Sequence, residues 1–511
     1  MPVETPERGN GPSVKPSVLD DAWERARGYL RRLMETREGP TQKKEMELFG
    51  HPIGLSYLFT TEMWERFSYY GMRAILVLSL ANYLLLRPTA ESLMGYESLK
   101  HFFEMIYNGG RSLPPKQLAS LIYGNYTSFV YLTPIFGGIL ADRWLGQRNS
   151  VIVGAVIMAI GEFTLMVPQF FFFGLLLLIL GNGFFKPNIS TQVGNLYRPG
   201  DPRIDRAFSI FYVGINLGAF FSPLVCGSLG EAFGYHWGYC AAGVGMVLGL
   251  ISYMFALRTL PPDRAMRIKK DQTEKKPFTA EDWKATIALC LLFIPGSLFW
   301  AAYEQQGNAM NLFAQDLTDR RLIPGLIDWQ IPTTWFQAFN PGFIMLFTPL
   351  VIAIWAWQAR RGKEPSVLIK MALGNLMMAF SFVVLVVAVH LTPVHHTVSW
   401  LWLLAFFAVI TMGELYFSPI GLSLTARVSP PQIVSMMMGV WLMTSFVGNQ
   451  LQGYIGTYFT RMGNEQFFLL CTGVSLVPAV AFWLFNFQLK AILAHRSQIS
   501  KPAPAAGADG P

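Results

Sequence analysis

Two glutamates and two arginines stand inside a segment apolar enough to cross a membrane: TTEMWERFSYYGMRAILVLSL, residues 60–80. At about 100° per residue, Glu62, Glu65, Arg66, Tyr69 and Arg73 fall within roughly 100° of one another on a helix. One face then carries the charge and the other is free to meet lipid. A charge at the bilayer centre costs about 2.5–3.5 kcal/mol on insertion scales, so ionisable groups within spans mark pathways for ions or substrate. The plainer alternative is a buried salt-bridge network that only fixes helix packing. Further charges downstream argue against it. Lys186 interrupts an apolar run in GNGFFKPNIS, and Pro187 after it leaves a backbone carbonyl without its usual partner. Glu162, Glu304 (FWAAYEQQG) and Glu414 (GELYFSPIG) lie in other apolar runs. The simplest arrangement has these groups facing a shared cavity. Five carboxylates (Glu62, Glu65, Glu162, Glu304, Glu414) against three cations (Arg66, Arg73, Lys186) leave two carboxylates over. A buried carboxylate without a partner can hold a proton near neutral pH, which makes the cluster a candidate for proton coupling. Glu162 alone reads better as a helix-end residue or a local packing partner. Asn216, Asn340 and Tyr131 read equally well as ligands or as contacts between helices.

The elements that must hold these groups are membrane helices. The 511 residues are 52% hydrophobic and 14% charged, against about 25% charged in globular domains. Mean hydropathy is +0.35. Apolar runs at 52–86, 119–141, 150–168, 170–197, 206–229, 235–257, 284–313, 332–358, 366–390, 399–427, 434–459 and 465–490 predict twelve spans. With the N-terminus inside, the inner connections hold sixteen Lys and Arg, among them Arg143, Arg148, Arg203, Arg258, Lys269, Lys270, Arg360 and Arg361. The outer ones hold seven: Arg87, Lys100, Arg111, Lys116, Arg320, Arg321 and Arg461. That asymmetry predicts N-in and C-in, and it accounts for most of the net charge of +8 without nucleic acid as a partner. The densest basic run sits at the midpoint of the helix count. The organisation predicted is a cytoplasmic N-terminal arm (1–50), a six-helix bundle (51–257), a basic cytoplasmic linker (258–282), a second six-helix bundle (283–490) and a disordered C-terminal tail (491–511). This all-α arrangement is that of a major-facilitator transporter, with substrate near the midplane between the halves. The arm contains no apolar core, so the first span is expected to direct insertion itself. Trp23, Tyr29, Leu30 and Leu33 pattern a short amphipathic helix around Leu19–Met34, suited to a membrane surface.

Other chemistries find little support. GVGMVLG (243–249) lacks the GxGxxG spacing and a preceding strand, and reads as a helix-packing surface, as does GGILAD (137–142). No Walker A, HExxH or GxSxG motif is present, so a built-in ATPase or hydrolase is not expected. Cys226, Cys240, Cys290 and Cys471 have no metal-ligand spacing and read as packing residues. No metal or cofactor is expected beyond the proton as coupling ion.

The motifs resemble those of the proton-dependent oligopeptide transporters, the POT or PTR family. Glu62, Glu65, Arg66, Phe67, Tyr69, Tyr70 and Gly71 match its ExxERFxYYG motif. GGILADRWLG is similar to its loop signature, FYVGINLG (211–218) to FYxxINxG, and FFKPN (184–188) to the span-four lysine motif. FWAAYEQ (299–305) matches most of FWxxxxQxxxS, with Ala309 in place of the final serine. The resemblance implies symport of protons with di- and tripeptides across the inner membrane of a bacterium, and no enzyme activity. It implies proton coupling by Glu62, Glu65 and Arg66. Arg73 and Lys186 would take the peptide carboxylate, with Glu304 as switching partner, and Glu414 the amino terminus. Asn216 and Asn340 would supply hydrogen bonds, and Tyr69, Tyr70, Tyr131, Trp300, Ser418 and Trp441 would line the cavity. Animal members carry a histidine in span two. The matching residue here is Gly124, so carboxylates would carry the proton. Many bacterial members have two extra helices between the halves, for which the 258–282 linker is too short and too polar.

Overall fold

A computed structural model describes residues 47–499 apart from 199, 262, 264–277, 394 and 395. The expected surface helix at Leu19–Met34, most of the N-terminal arm, the centre of the basic linker and the end of the tail lie outside the described residues. Through the rest run twelve long helices, each on one of the apolar runs: α1 (Ile53–Ser79), α2 (Pro115–Leu140), α3 (Gln147–Leu165), α4 (Phe171–Asn195), α5 (Ile204–Ser222), α6 (Tyr235–Ala256), α7 (Ala280–Tyr303), α8 (Phe339–Arg360), α9 (Val367–Leu391), α10 (Trp400–Leu415), α11 (Val434–Gly456) and α12 (Asn464–Ile499). Short strands of two to four residues decorate the connections.

Among the described residues, nine helical stretches are long and apolar enough to cross a membrane. The other three long helices are α1, α2 and α11. Charge sets α1 apart, whereas α2 and α11 carry polar side chains that find partners inside the bundle, such as Gln450 donating to Asn125 at 3.1 Å. α1 packs on α5 and α6, α4 on α2 and α3, and α3 also on α6. In the second group α7 packs on α11 and α12, α9 on α10 and α12, and α8 on α10. The two groups meet along α2–α11 and α5–α8.

One expectation for α1 changes. Its C-terminal part is buried on every side from Gly71 to Ala81, so no lipid-facing stripe exists there. The flanking helices and the segment Pro223–Gly227 enclose it, as they must for a helix apolar all round. The glycine runs do form packing surfaces. On α6, Gly243 meets Phe163, Gly245 meets Phe67, and Gly249 meets the turn at Thr61–Trp64. Pro187 stays within a continuous α4. The Gly183 carbonyl that it leaves unpaired faces Gly137 of α2, where a side chain would not fit.

At the end of the bundle where α1 gives way to α2, the halves are joined. Gly124 of α2 lies against the Gly453 backbone of α11, with no room for a Cβ on Gly124 and little on Gly453. Ser120 donates to Asn308 at 3.0 Å, Gln117 to Thr460 at 3.1 Å, and Lys116 pairs with Asp316 at 2.6 Å. The Glu231 carboxylate accepts from the Thr333 and Thr334 backbone N–H groups at 2.9 and 2.8 Å. Of the expected outer segment 87–118, residues 115–118 begin α2 and the rest carries two helices, Thr89–Ser92 and Tyr96–Asn108. Tyr107 donates to Gln450 of α11 at 3.1 Å, which sets the longer one over the α2–α11 seam.

Candidate functional site

Eleven residues separate Glu62 from Arg73, about 16 Å along α1 at 1.5 Å per residue. The stripe therefore serves two places rather than one shared cavity. At its lower level Arg66 ties up both nearby carboxylates. Its guanidinium pairs with Glu65 through Nε and through Nη2, the latter at 2.7 Å, and its Nε lies 3.2 Å from Glu62 Oε1, one turn away. Glu62 Oε2 has no hydrogen-bond partner. All three side chains are buried, so Arg66 is the cation in direct contact with two carboxylates out of water. Arg66 also sits 5.3 Å from the Tyr69 ring centroid. Lys186 reaches toward this knot and toward Glu304, with its ammonium 4.8 Å from the Tyr131 ring centroid.

At the upper level, Arg73 forms an ion pair with Glu304 across the two halves, and its Nε donates to the Tyr123 hydroxyl at 2.5 Å. Glu304 stands where α7 breaks into a short 3₁₀ turn, Glu304–Gly307, before helix resumes at Ala309–Asp316. Glu414 stands at the corresponding interruption of α10, which ends at Leu415 and resumes at Ser418–Val428 with Pro419 in its first turn. Discontinuous spans of this kind are where transporters place binding groups. Asn340 of α8 donates to Glu414 at 2.9 Å and to Thr411 at 3.0 Å, and accepts from Tyr303 at 3.3 Å.

Arg73, Glu304, Glu414 and Asn340 line one cavity of about 200 Å³ between the halves, together with Tyr70, Tyr131, Asn216, Trp300 and Ser418. The Trp300 indole N–H is buried there without a partner. Asn216 donates to the Tyr212 carbonyl of its own helix at 2.9 Å. The lining does not include Lys186, Tyr69 or Trp441. Tyr69 is buried behind Tyr70 with its hydroxyl unpartnered. Trp441 packs against Phe293 and Phe417 in the core, over Gly421. Tyr123, Tyr303, Gln306 and Gln337 complete the site without having been singled out from the sequence. Tyr303 adjoins Glu304 in FWAAYEQ, which is a signal. Tyr123 meets Arg73 only through the fold.

A family model described as the POT family (PTR2) matches residues 148–264 and 263–470. The chain belongs to the POT family. Among POT-family relatives, the peptide transporter YePEPT of Yersinia enterocolitica is 33% identical over 479 residues, covering 80% of this chain and 88% of that one. A di-/tripeptide transporter of Lactococcus lactis subsp. cremoris is 32% identical over 493 residues, covering 84% and 94%. The crystal structure of peptide transporter POT in complex with sulfate aligns with a TM-score of 0.74 at 29% identity, over 88% of this chain and 97% of that chain. A POT family transporter in complex with 5-aminolevulinic acid aligns with a TM-score of 0.74 at 28% identity, over 87% and 98%. The POT-family members found are transporters, not enzymes, and the chain shares their major-facilitator fold. The close approach of Gly124 to Gly453 also explains how a POT-family chain without the span-two histidine is built: no side chain fits at that position.

Proposed function

We propose that the protein takes up di- and tripeptides with protons by alternating access, in the inner membrane of a bacterium. The observation that carries this reading is a single cavity lined by Arg73 and Glu304 together with Glu414 and Asn340. A peptide is a zwitterion with a variable middle. Arg73 receives its carboxylate as Glu304 lets go, Glu414 and Asn340 hold its amino terminus, and Tyr70, Tyr131 and Trp300 form walls tolerant of side chains, with Lys186 adding positive potential from outside the lining beside Tyr131. The proton enters through Glu62, Glu65 and Arg66. Residues 51–257 and 283–490 move as the two halves, and the joined end is the outer face. The decisive experiment is uptake of labelled dialanine into proteoliposomes with and without an inward proton gradient. Accumulation only with the gradient is expected, and its absence in folded protein would refute the reading.

Two results follow from the geometry. Glu414→Gln keeps the hydrogen-bonding shape but loses the charge, and hydrogen bonds to charged groups contribute about 1.5–3 kcal/mol. Affinity for dipeptides should fall by roughly 10- to 150-fold at about 1.4 kcal/mol per tenfold. Competition by N-acetylated dipeptides should be unchanged, and an equal loss for both would remove Glu414 from the amino-terminal subsite. Gly124→Val pushes α2 away from α11, and overpacking costs about 1–3 kcal/mol. A cysteine at Ser120, one turn before, should then react roughly tenfold faster with an impermeant thiol reagent applied outside. An unchanged rate would show that this seam is not the outer closure.

A further inference from the structure

Glu162 takes no part in peptide binding or in the Glu62, Glu65 and Arg66 knot, yet its surroundings are unusual for a carboxylate. It is wholly buried on α3. Oε2 has no hydrogen-bond partner, and Oε1 accepts only from Ser68 Oγ of α1, at 3.2 Å. The titratable groups that face it are Glu65 of α1, Tyr126 of α2, Tyr239 of α6, and Cys226 in the segment between α5 and α6. None of these is a cation. A carboxylate without a counter-charge and with one long hydrogen bond is costly to bury, whereas the neutral acid is not. Ser68 follows Glu65 by three residues, so the two share a face of α1. The face of α1 that carries the carboxyl paired with Arg66 thus also carries the hydroxyl that donates to Glu162.

We propose that Glu162 is a second proton-coupling carboxyl, held as the neutral acid while Glu65 is paired with Arg66 and exchanging charge with it around the Ser68 hydroxyl. The exchange neither makes nor consumes a proton. One proton serves the two carboxyls, and whichever lacks it carries the charge. Like charges so near each other disfavour joint ionisation. Glu162 touches no substrate and acts through Glu65 and Arg66, so it is a positioning residue for the coupling step, and this role rests on the proton-coupled reading.

Infrared spectroscopy of the protein in lipid vesicles tests the protonation directly. A buried carboxylic-acid C=O band at neutral pH should be present in the unaltered protein and missing in Glu162→Gln. The same band in Glu162→Gln would overturn the proposal. Glu162→Gln keeps the shape of the neutral acid, so folding and counterflow exchange should persist. The ratio of gradient-driven uptake to counterflow should fall by about tenfold, the equivalent of one pH unit in proton affinity. A purely structural role would leave that ratio unchanged, and such a result would also overturn the proposal. Should Glu162→Gln not reconstitute, Ser68→Ala tests the same point: removing the donor should shift the C=O band, and an unshifted band refutes the coupling. The infrared result stands even if the unaltered protein fails to accumulate peptide, so the failure of this inference and that of the transport reading are distinguishable.

Discussion

Arg73→Ala is expected to lower dialanine uptake by at least about 100-fold. Removing one partner of a buried ion pair costs about 3–5 kcal/mol, because the remaining charge is left buried and uncompensated. At about 1.4 kcal/mol per tenfold, that is roughly 10²–10³ or more in the affected equilibrium. The remaining charge is Glu304, which is 2% exposed and stands at the break in α7. The variant also removes the donor to Tyr123 and a cation of the cavity lining. Two further variants separate these losses. Arg73→Lys keeps the charge but not the planar fork, and should retain intermediate uptake. Arg73→Ala combined with Glu304→Gln removes both charges of the pair, so thermal stability should recover while uptake does not. Recovery of uptake in the double variant would show that Arg73 serves only to compensate Glu304. Uptake within about threefold of normal in Arg73→Ala would contradict the buried-pair energetics altogether.

The parts of this molecule that were readable in its residues are those governed by solvent. Each span rests on a run that lipid requires to be apolar, and each charge within a span needed a partner. Arg66 with Glu62 was readable because i,i+4 spacing on one helix is local geometry, and Glu65 is its neighbour in the chain. Arg73 with Glu304 was readable only as charge balance and family resemblance, since 231 residues separate them. Other features depend on which helices become neighbours, and that is not local. Tyr123 reaches Arg73 because α2 passes beside α1. Trp441 enters the core rather than the cavity because Gly421 makes room for its ring and Phe417 stacks on it. Glu162 looks like a helix-end residue when α3 is considered alone. Its burial follows from the way α1, α2 and α6 close around it.

Glu65→Gln is expected to abolish accumulation against a gradient while leaving counterflow exchange. Arg66 holds Glu65 through two nitrogens and Glu62 through one contact at 3.2 Å. The second oxygen of Glu62 is unpartnered, so the arginine has a standby carboxylate on its own helix. In the coupling proposed above, a proton on Glu65 would end its charge-assisted pairing and turn Arg66 wholly to Glu62. That rearrangement is a local change with two discrete states, and a proton can bias it only to the extent that its affinity differs between them. Glutamine presents the protonated arrangement permanently, so no proton affinity differs and no bias remains. Peptide can still exchange through the cavity, because Arg73, Glu304 and Glu414 are untouched. A tenfold proton gradient and a tenfold peptide gradient are each worth about 1.4 kcal/mol, so one proton drives at most about tenfold accumulation per pH unit. The variant should bring peptide only to equal concentrations inside and out, at any gradient imposed. Uphill accumulation in Glu65→Gln equal to that of the unaltered protein would take proton coupling away from this carboxyl. Loss of counterflow along with accumulation would mean that the knot of Glu62, Glu65 and Arg66 holds the bundle together rather than sensing the proton.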